Sequence, residues 1–311
     1  MSIVVFGSIN IDVSVYSDRL PKPGETLHGN NYAIGLGGKG CNQAVAVRRL
    51  GGDVHLIGQT GDDEFGAAAR RELATLNVSD DYIASDPGTA TGMATISIDS
   101  AGENSITVIG GANMSITASD VDALPDVFAE AEILLLQLEI PISALRRAAG
   151  VVRQSGGRVI LDPAPAPEGG FDDPEIFSSV DFMTPNENET ESLVGLRPAS
   201  ADDAAIAAQR LHDKGLRGAI IKLGAQGVYY SCDGMQGFVP PFAVDPIDSV
   251  AAGDCFNGGL AFALARGDDV ATAVRFAAAC GALATTRAGA ASAAPTLDDV
   301  NELMNGQAPP T

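Results

Sequence analysis

The chain has 311 residues, 45% of them hydrophobic, and a formal net charge of −21. That length and composition suit one large α/β domain or two smaller ones around a sizeable core. So acidic a surface argues against nucleic acid and anionic membranes as partners, since both require Lys and Arg on phosphates.

The chain enters an apolar strand pattern at once, Ser2-Ile-Val-Val-Phe6, with no basic segment before it. The expectation is no signal peptide and a cytoplasmic protein. No stretch reaches the ~18 consecutive apolar residues of a membrane span. Residues 11–16 and 26–34 read as half-exposed strands, 41–50 as a helix ended by Gly51-Gly52, 54–57 as a strand and 64–76 as a helix. Residues 91–99 and 104–109 alternate apolar and polar around Ser100 to Glu103, which predicts a hairpin. The pattern then changes. Helix 118–130 precedes strand 132–138, helix 141–154, strands 157–161 and 180–184, and helices 187–194 and 202–213. Strands 217–223, 226–231 and 235–239 follow, then helices 252–266, 268–284 and 296–304, with a frayed tail from Gly306. Strands alternating with helices predict a mostly parallel sheet covered on both faces, an α/β fold. The early alternating strands do not suit such a sheet and read as a small β lid.

Cys41, Cys232, Cys255 and Cys280 lack metal-type or CxxC spacing and read as reduced, buried thiols. Lys is scarce, at four of the 19 basic residues, so Lys39 within a glycine turn stands out.

Two glycine-bearing stretches carry the chemistry. Gly35-Leu-Gly37-Gly-Lys-Gly40-Cys-Asn-Gln43 and Asp248-Ser-Val-Ala-Ala-Gly253-Asp-Cys-Phe-Asn-Gly258 each open a helical pattern. Free N–H groups and a positive dipole end there suit an anion. The first stretch formally matches GxGxxG, but the strand before it is polar and glycine-broken, which argues against a dinucleotide site. A P-loop is excluded because Gly40, not Ser or Thr, follows Lys39. In the second stretch Asp254 sits inside an anion-friendly turn. A carboxylate there handles a proton or a metal, or it is only a dipole-favoured helix acid. With three His in the chain and none in a motif, Asp254 is the candidate base for phosphoryl transfer, with Ala251, Ala252 and Gly253 as the anion hole.

Asn10 and Asp12 follow the first strand and share one side of an extended segment. They suit neighbouring hydroxyls of a polyol, or an Asx turn. Glu139 ends the apolar run 133–138, as a ligand carboxylate or a helix N-terminal acid. Asn186 and Glu189 suit water-mediated Mg²⁺ binding or helix capping. Lys222-Leu223-Gly224-Ala225-Gln226-Gly227 suits nucleotide approach or a hairpin turn.

In this order the motifs resemble the ribokinase (PfkB-type) sugar kinases, from about Val4 to Pro295. They include Gly7 to Asp12, Pro23 to Thr26, Gly37 to Ala44, Gly61-Asp-Asp63, Gln137 to Glu139, Pro163-Ala-Pro165, Thr184 to Glu187, residues 248–258 and Thr286 to Ala290. The resemblance implies a three-layer α/β/α domain over residues 1–311. Its central sheet is mostly parallel, and a β lid at about 11–35 and 90–110 also clasps a homodimer. It implies ATP-dependent phosphorylation of the ribose 5-hydroxyl, with another small sugar (2-deoxyribose or fructose) or a non-catalytic sugar-binding regulator as alternatives. By motif match Asp254 is the base and the N–H groups of residues 251–254 hold the phosphoryl. Asn10, Asp12, Gly38, Lys39, Gly40, Cys41, Asn42, Glu139 and Asp254 bind sugar. ATP lies on Asn186, the 222–227 loop, Gly253, Asp254 and Ala278, with Mg²⁺ on Asn186 and Glu189 through water. K⁺ lies on Asp248, Val250, Ala284, Arg287, Gly289 and Ala293. Three departures stand out. Ala278 replaces a His or Asn, Ala293 a cation-site Ser, and Lys222 a common Thr.

Overall fold

The computed structural model describes residues 2–167 and 169–307. The first half holds β1 (Ile3–Phe6), β2 (Asn10–Tyr16), β3 (Asn31–Gly37), α1 (Lys39–Arg49), β4 (Val54–Gly61), α2 (Glu64–Thr75), β5 (Ile83–Asp86), β6 (Gly92–Ile98) and β7 (Asn104–Ile109). Then come α3 (Ala118–Asp122), α4 (Pro125–Ala129), β8 (Ile133–Gln137), α5 (Ile142–Gln154), β9 (Arg158–Asp162), α6 (Pro174–Ser179), β10 (Phe182–Met183), α7 (Glu187–Val194) and α8 (Ala201–Asp213). The chain finishes with β11 (Gly218–Lys222), β12 (Val228–Cys232), β13 (Met235–Val239), α9 (Ala252–Ala265), α10 (Val270–Ala284) and α11 (Leu297–Gly306). The tail expected to fray from Gly306 is held at its start, where Gly306 ends α11 and Gln307 Nε2 donates to the Ala243 carbonyl at 2.9 Å; its remainder, residues 308–311, lies outside the described residues.

Nine strands form one sheet in the order β13-β12-β11-β10-β9-β8-β1-β4-β5. All its pairs are parallel except those of β12 with β11 and β13. Its central strands hold near-continuous apolar runs, all of β1 and Ile133 to Leu136 of β8, because both faces are covered. Alternate residues serve different layers. Ile3, Val5, Ile133 and Leu135 pack toward α1, α2, α9, α10 and α11. Val4, Phe6, Leu134 and Leu136 pack toward the layer of α3 to α8. The result is the expected α/β/α arrangement. Four further strands, in the order β3-β2-β6-β7, form the small separate sheet. No helix among the described residues is long and apolar enough to cross a membrane. All four cysteines are free and buried, and burial pushes the Cys41, Cys255 and Cys280 thiols up, away from reactivity.

Some expectations fail for local reasons. The strand expected at 26–34 runs instead from Asn31 to Gly37, because β2 spans only the residues paired from Asn10↔Gly37 to Tyr16↔Asn31. The helix expected at 118–130 is two short helices. Pro125 has no N–H to continue the first one, and Leu124 before it is pushed out of the helical region. The short elements β5 and α6 carry too few residues to show a period.

The site is positioned where α1 starts against the turn after β1. Gly38 has φ +89°, and a Cβ there would fall 2.8 Å from the Asn10 nitrogen and the Ser8 carbonyl oxygen. A Cβ on Gly40 would meet the Gly7 carbonyl carbon at 2.6 Å and the Ser8 nitrogen at 2.7 Å. Both neighbours are backbone and cannot step aside. Gly40→Ala should therefore cost about 1–3 kcal/mol by overpacking, read as a lower denaturant midpoint. An unchanged midpoint would mean that α1 is not pinned here.

Candidate active site

Asp254 lies in the first turn of α9, 4% exposed, with its carboxylate held by two side-chain amides of α1. Asn42 Nδ2 donates to Oδ2 at 2.9 Å and Gln43 Nε2 to Oδ1 at 3.1 Å. Burial pushes this carboxyl up from 3.8 to about 6, against the Lys39 ammonium and with the help of Asp162 and Glu139. The helix begins at Ala251, which sits in the left-handed region at φ +57°, an uncommon place for a residue with a Cβ. The sequence reading assigns four N–H groups to the anion hole. One of them, on Ala252, turns to the Ser249 carbonyl at 3.3 Å. Those of Ala251, Gly253 and Asp254 meet no acceptor among the described residues. A buried carboxylate and three unused donors thus share one turn.

Asn10 and Asp12 belong to β2, so the Asx-turn reading does not hold. Asn10 is buried, and its Oδ1 accepts from Asn113 Nδ2 at 2.8 Å. Asn113 also grips the Ile9 backbone, accepting its N–H at 2.9 Å and donating to its carbonyl at 3.2 Å. Asp12 lies over Gly37, where a Cβ would collide with its carboxylate at 2.1 Å. Burial, then Glu139 and Asp254, push Asp12 up to about 6. Glu139 does not head the helix that follows it. It accepts from the Lys39 N–H at 3.1 Å, and so caps α1 from across the sheet, and from the Ser8 hydroxyl. Lys39 makes no side-chain hydrogen bond or ion pair among the described residues. Burial alone would favour loss of its proton. The carboxylates of Asp254, Asp162, Glu139 and Glu189 outweigh that and hold the ammonium charged.

The nucleotide-side candidates adjoin this cluster. Asn186 and Glu189 do form a capping box on α7. The Glu189 carboxylate accepts the Asn186 N–H at 2.8 Å and its side-chain amide at 2.9 Å. Each oxygen keeps a lone pair free, so the pair also fits the waters of a Mg²⁺ ion. Burial raises the Glu189 pKa, with Lys222 opposing. The 222–227 loop is a hairpin connection closed by Leu223 N–H on the Gly227 carbonyl at 2.9 Å, with Gly224 at φ +51° and Gly227 at φ +115°. Lys222 N–H bonds the Pro185 carbonyl at 2.9 Å, so the two candidate segments lie side by side. Ala278 is half-buried on α10 and offers no polar group.

The K⁺ candidates form a separate cluster. Asp248 accepts from Val250 N–H at 3.0 Å and Gly289 N–H at 3.1 Å, tying residues 247–250 to the loop after α10. Arg287 turns away to Asp299 at 2.9 Å and the Ala294 carbonyl at 3.3 Å. Ala293 is fully buried without a side-chain oxygen, whereas the exposed Ser292 puts its hydroxyl against Gly289. Each Asp248 oxygen accepts a single N–H and keeps a lone pair free, so the carboxylate could also meet a monovalent cation.

Ser8, Gln43 and Gln137 lie in the quoted motifs but carry no assigned role there, and Asn113 and Asp162 lie outside them; all five belong to the cluster. Asp162 could have been found, since it ends a buried strand where parallel sheets present ligands. Asn113 carries no local signal.

Residues 1–297 match the profile described as pfkB family carbohydrate kinase. The chain is 39% identical to a ribokinase of Haemophilus influenzae, over 97% of this chain and 98% of that one. It is 33% identical to a deoxyribokinase of Salmonella typhimurium, over 98% and 99%. The solved structure of Arabidopsis thaliana ribokinase complexed with ribose and ATP superposes with a TM-score of 0.88 at 33% identity, covering 97% of this chain and 98% of that one. This chain belongs to the pfkB family of carbohydrate kinases and is an ATP-dependent sugar kinase.

Proposed function

We propose that the chain transfers the γ-phosphoryl group of ATP to the 5-hydroxyl of D-ribose, giving D-ribose 5-phosphate. The observation that carries this reading is the α9 turn, where a buried Asp254 stands beside three unused N–H groups. The sugar oxygen attacks the γ-phosphorus, the bond from that phosphorus to the bridging oxygen breaks, and ADP leaves. Asp254 takes the hydroxyl proton late, as a loose transition state requires. The free N–H groups of Ala251, Gly253 and Asp254 face the charge on the transferring oxygens. Asn10, Asp12, the Gly38–Asn42 segment and Glu139 hold the sugar. The 222–227 loop, with Ala278 beside it, holds the nucleotide. Mg²⁺ bound with ATP would neutralise phosphate charge, its waters resting on Asn186 and Glu189.

The whole chain acts as one kinase unit in the cytoplasm, with segments 11–35 and 90–110 as its lid. Exposed apolar side chains on that sheet, among them Tyr32 at 69%, Ile34 at 56%, and Ile106 and Val108 at 51%, support a homodimer through the lid. Light scattering that finds only monomer would remove that element. K⁺ at the Asp248 cluster activates.

A second acceptor, 2-deoxyribose, is favoured by the deoxyribokinase relatives. A coupled ADP-release assay over ribose, 2-deoxyribose and fructose, each with K⁺ and with Na⁺, decides. Ribose should have the highest kcat/KM, and Na⁺ should lower it. A preference for another sugar would replace the reading, and tight ribose binding without turnover would favour a regulator.

Asp254→Asn should cut kcat by about 10²–10⁴-fold with sugar binding largely kept. More than about a tenth of the rate remaining would end the base assignment.

Asp254 must be ionised to act, so kcat/KM should fall as pH drops through about 6. Stability should run the other way. Asp12 and Asp254 bind protons more tightly folded, at about 6, than unfolded, at 3.8. Their contribution is full below pH 3.8 and is lost as pH rises through 6. A pH–rate profile and melting temperatures of the unliganded protein check both signs. A rate constant down to about pH 5 would contradict the first.

A further inference from the structure

We propose that Asp162, at the end of β9, is a positioning residue that aims the Lys222 ammonium at the transferred phosphoryl group and tunes the charge of Asp254. The proposal rests on the phosphoryl-transfer reading above. Asp162 is 1% exposed and touches both halves of the site. Its Oδ1 accepts from Lys222 Nζ at 3.4 Å and its Oδ2 from Gln43 Nε2 at 3.3 Å. The same Gln43 amide nitrogen donates to Asp254 Oδ1 at 3.1 Å. One NH₂ group, with its two protons, thus bridges two buried carboxylates. Its orientation is set from the other end, where Gln43 Oε1 accepts from Gln137 Nε2 at 2.7 Å.

The Lys222 end of this chain points at the phosphoryl position. Its Nζ stands 3.4 Å from where a Cβ of Gly253 would lie, and 5.9 Å from the centroid of the Phe256 ring. It is therefore beside the first turn of α9, where the N–H groups of Ala251, Gly253 and Asp254 are unused. An ammonium has three protons, and among the described residues Asp162 is its only hydrogen-bond acceptor. Two protons stay available for an anionic oxygen at that turn. A lysine on a four-carbon stem has many rotamers. Without the Asp162 anchor, Lys222 is free to turn toward Glu189, the other carboxylate whose charge it feels.

Asp162 also acts at Asp254. The charged groups around Asp254 are Lys39 from α1, Asp12 from β2, Glu139 after β8 and Asp162 from β9. Lys222 from β11 and Glu189 from α7 complete the ring around Lys39 and Asp162. Asp162 is the first of the carboxylates that raise the proton affinity of Asp254. Removing its charge makes Asp254 easier to ionise.

The two effects give Asp162→Asn a signature that a structural role does not share. The variant leaves the phosphate side more positive, so KM for MgATP should not rise. The ammonium loses its aim, so kcat should fall about tenfold or more. The acid limb of kcat/KM should move to lower pH. Lys222→Met should lower kcat and raise KM for MgATP, and the double variant should be no slower than Lys222→Met alone. A raised KM at unchanged kcat, an unmoved acid limb, or additive losses would each overturn the proposal. Calorimetry with the magnesium complex of a non-hydrolysable ATP analogue separates this from the parent reading. Lys222→Met should weaken that complex and Asp162→Asn should not, whether or not the wild type phosphorylates a sugar. Equal weakening by both would overturn the proposal, whereas wild type inert toward every sugar would instead end the kinase reading.

Discussion

The contact on which the site depends is the pair of amides that α1 offers to one carboxylate of α9. Asn42 and Gln43 lie more than 200 residues before Asp254, yet both donate to it. A carboxylate buried in apolar surroundings would otherwise take up a proton. Two amide donors keep the charged form accessible without neutralising it as a salt bridge would. They also fix where the oxygens point. The helices reach this contact because each begins on small residues. Gly38 and Gly40 let α1 abut the turn after β1, and Ala251 to Gly253 leave the mouth of α9 open.

Charge balance is the second organising feature. Asp12, Glu139, Asp162, Asp254 and Glu189 gather around two cations, Lys39 and Lys222. Such an excess of carboxylates repels a polyphosphate unless protons or metal ions offset it. Protonation of Asp12 and Asp254 near pH 6 does so in the unliganded protein. Mg²⁺ delivered with ATP does so in the complex expected of this family. Lys39 stands among the carboxylates of Asp254, Asp162, Glu139 and Glu189, and Lys222 lies against Asp162 beside the first turn of α9.

The small sheet adds a different constraint. Its register sets Asn10 and Asp12 opposite Gly37 and Gly35 on one side, and opposite Gly92 and Ala94 on the other. Small partners leave room for both polar side chains on the β2 strand, so Asn10 and Asp12 are carried by the small sheet itself. Any movement of that sheet moves Asp12 with it.

Periodicity alone made the layered fold legible, because a strand buried on both faces is apolar at every position and a covering helix is not. It also located both helix mouths, since Gly and Ala runs before an apolar helix have few other uses. Elements too short to show a period, such as β5 and α6, left no such trace. At Asn186, Glu139 and Asn10 the residue types admitted two uses each, and the tertiary structure removes only the Asx turn at Asn10 and the cap on the following helix at Glu139. Asn186 caps α7, Glu139 caps a helix to which it is not joined, and Asn10 is held by Asn113, which lies some hundred residues on. Asp162 shows the limit most clearly. Its neighbours in sequence mark only a strand end, whereas its partners Gln43 and Lys222 come from α1 and β11. Hydrogen-bond geometry between distant segments is set by packing of the sheet and its helices, and a linear pattern carries no record of it.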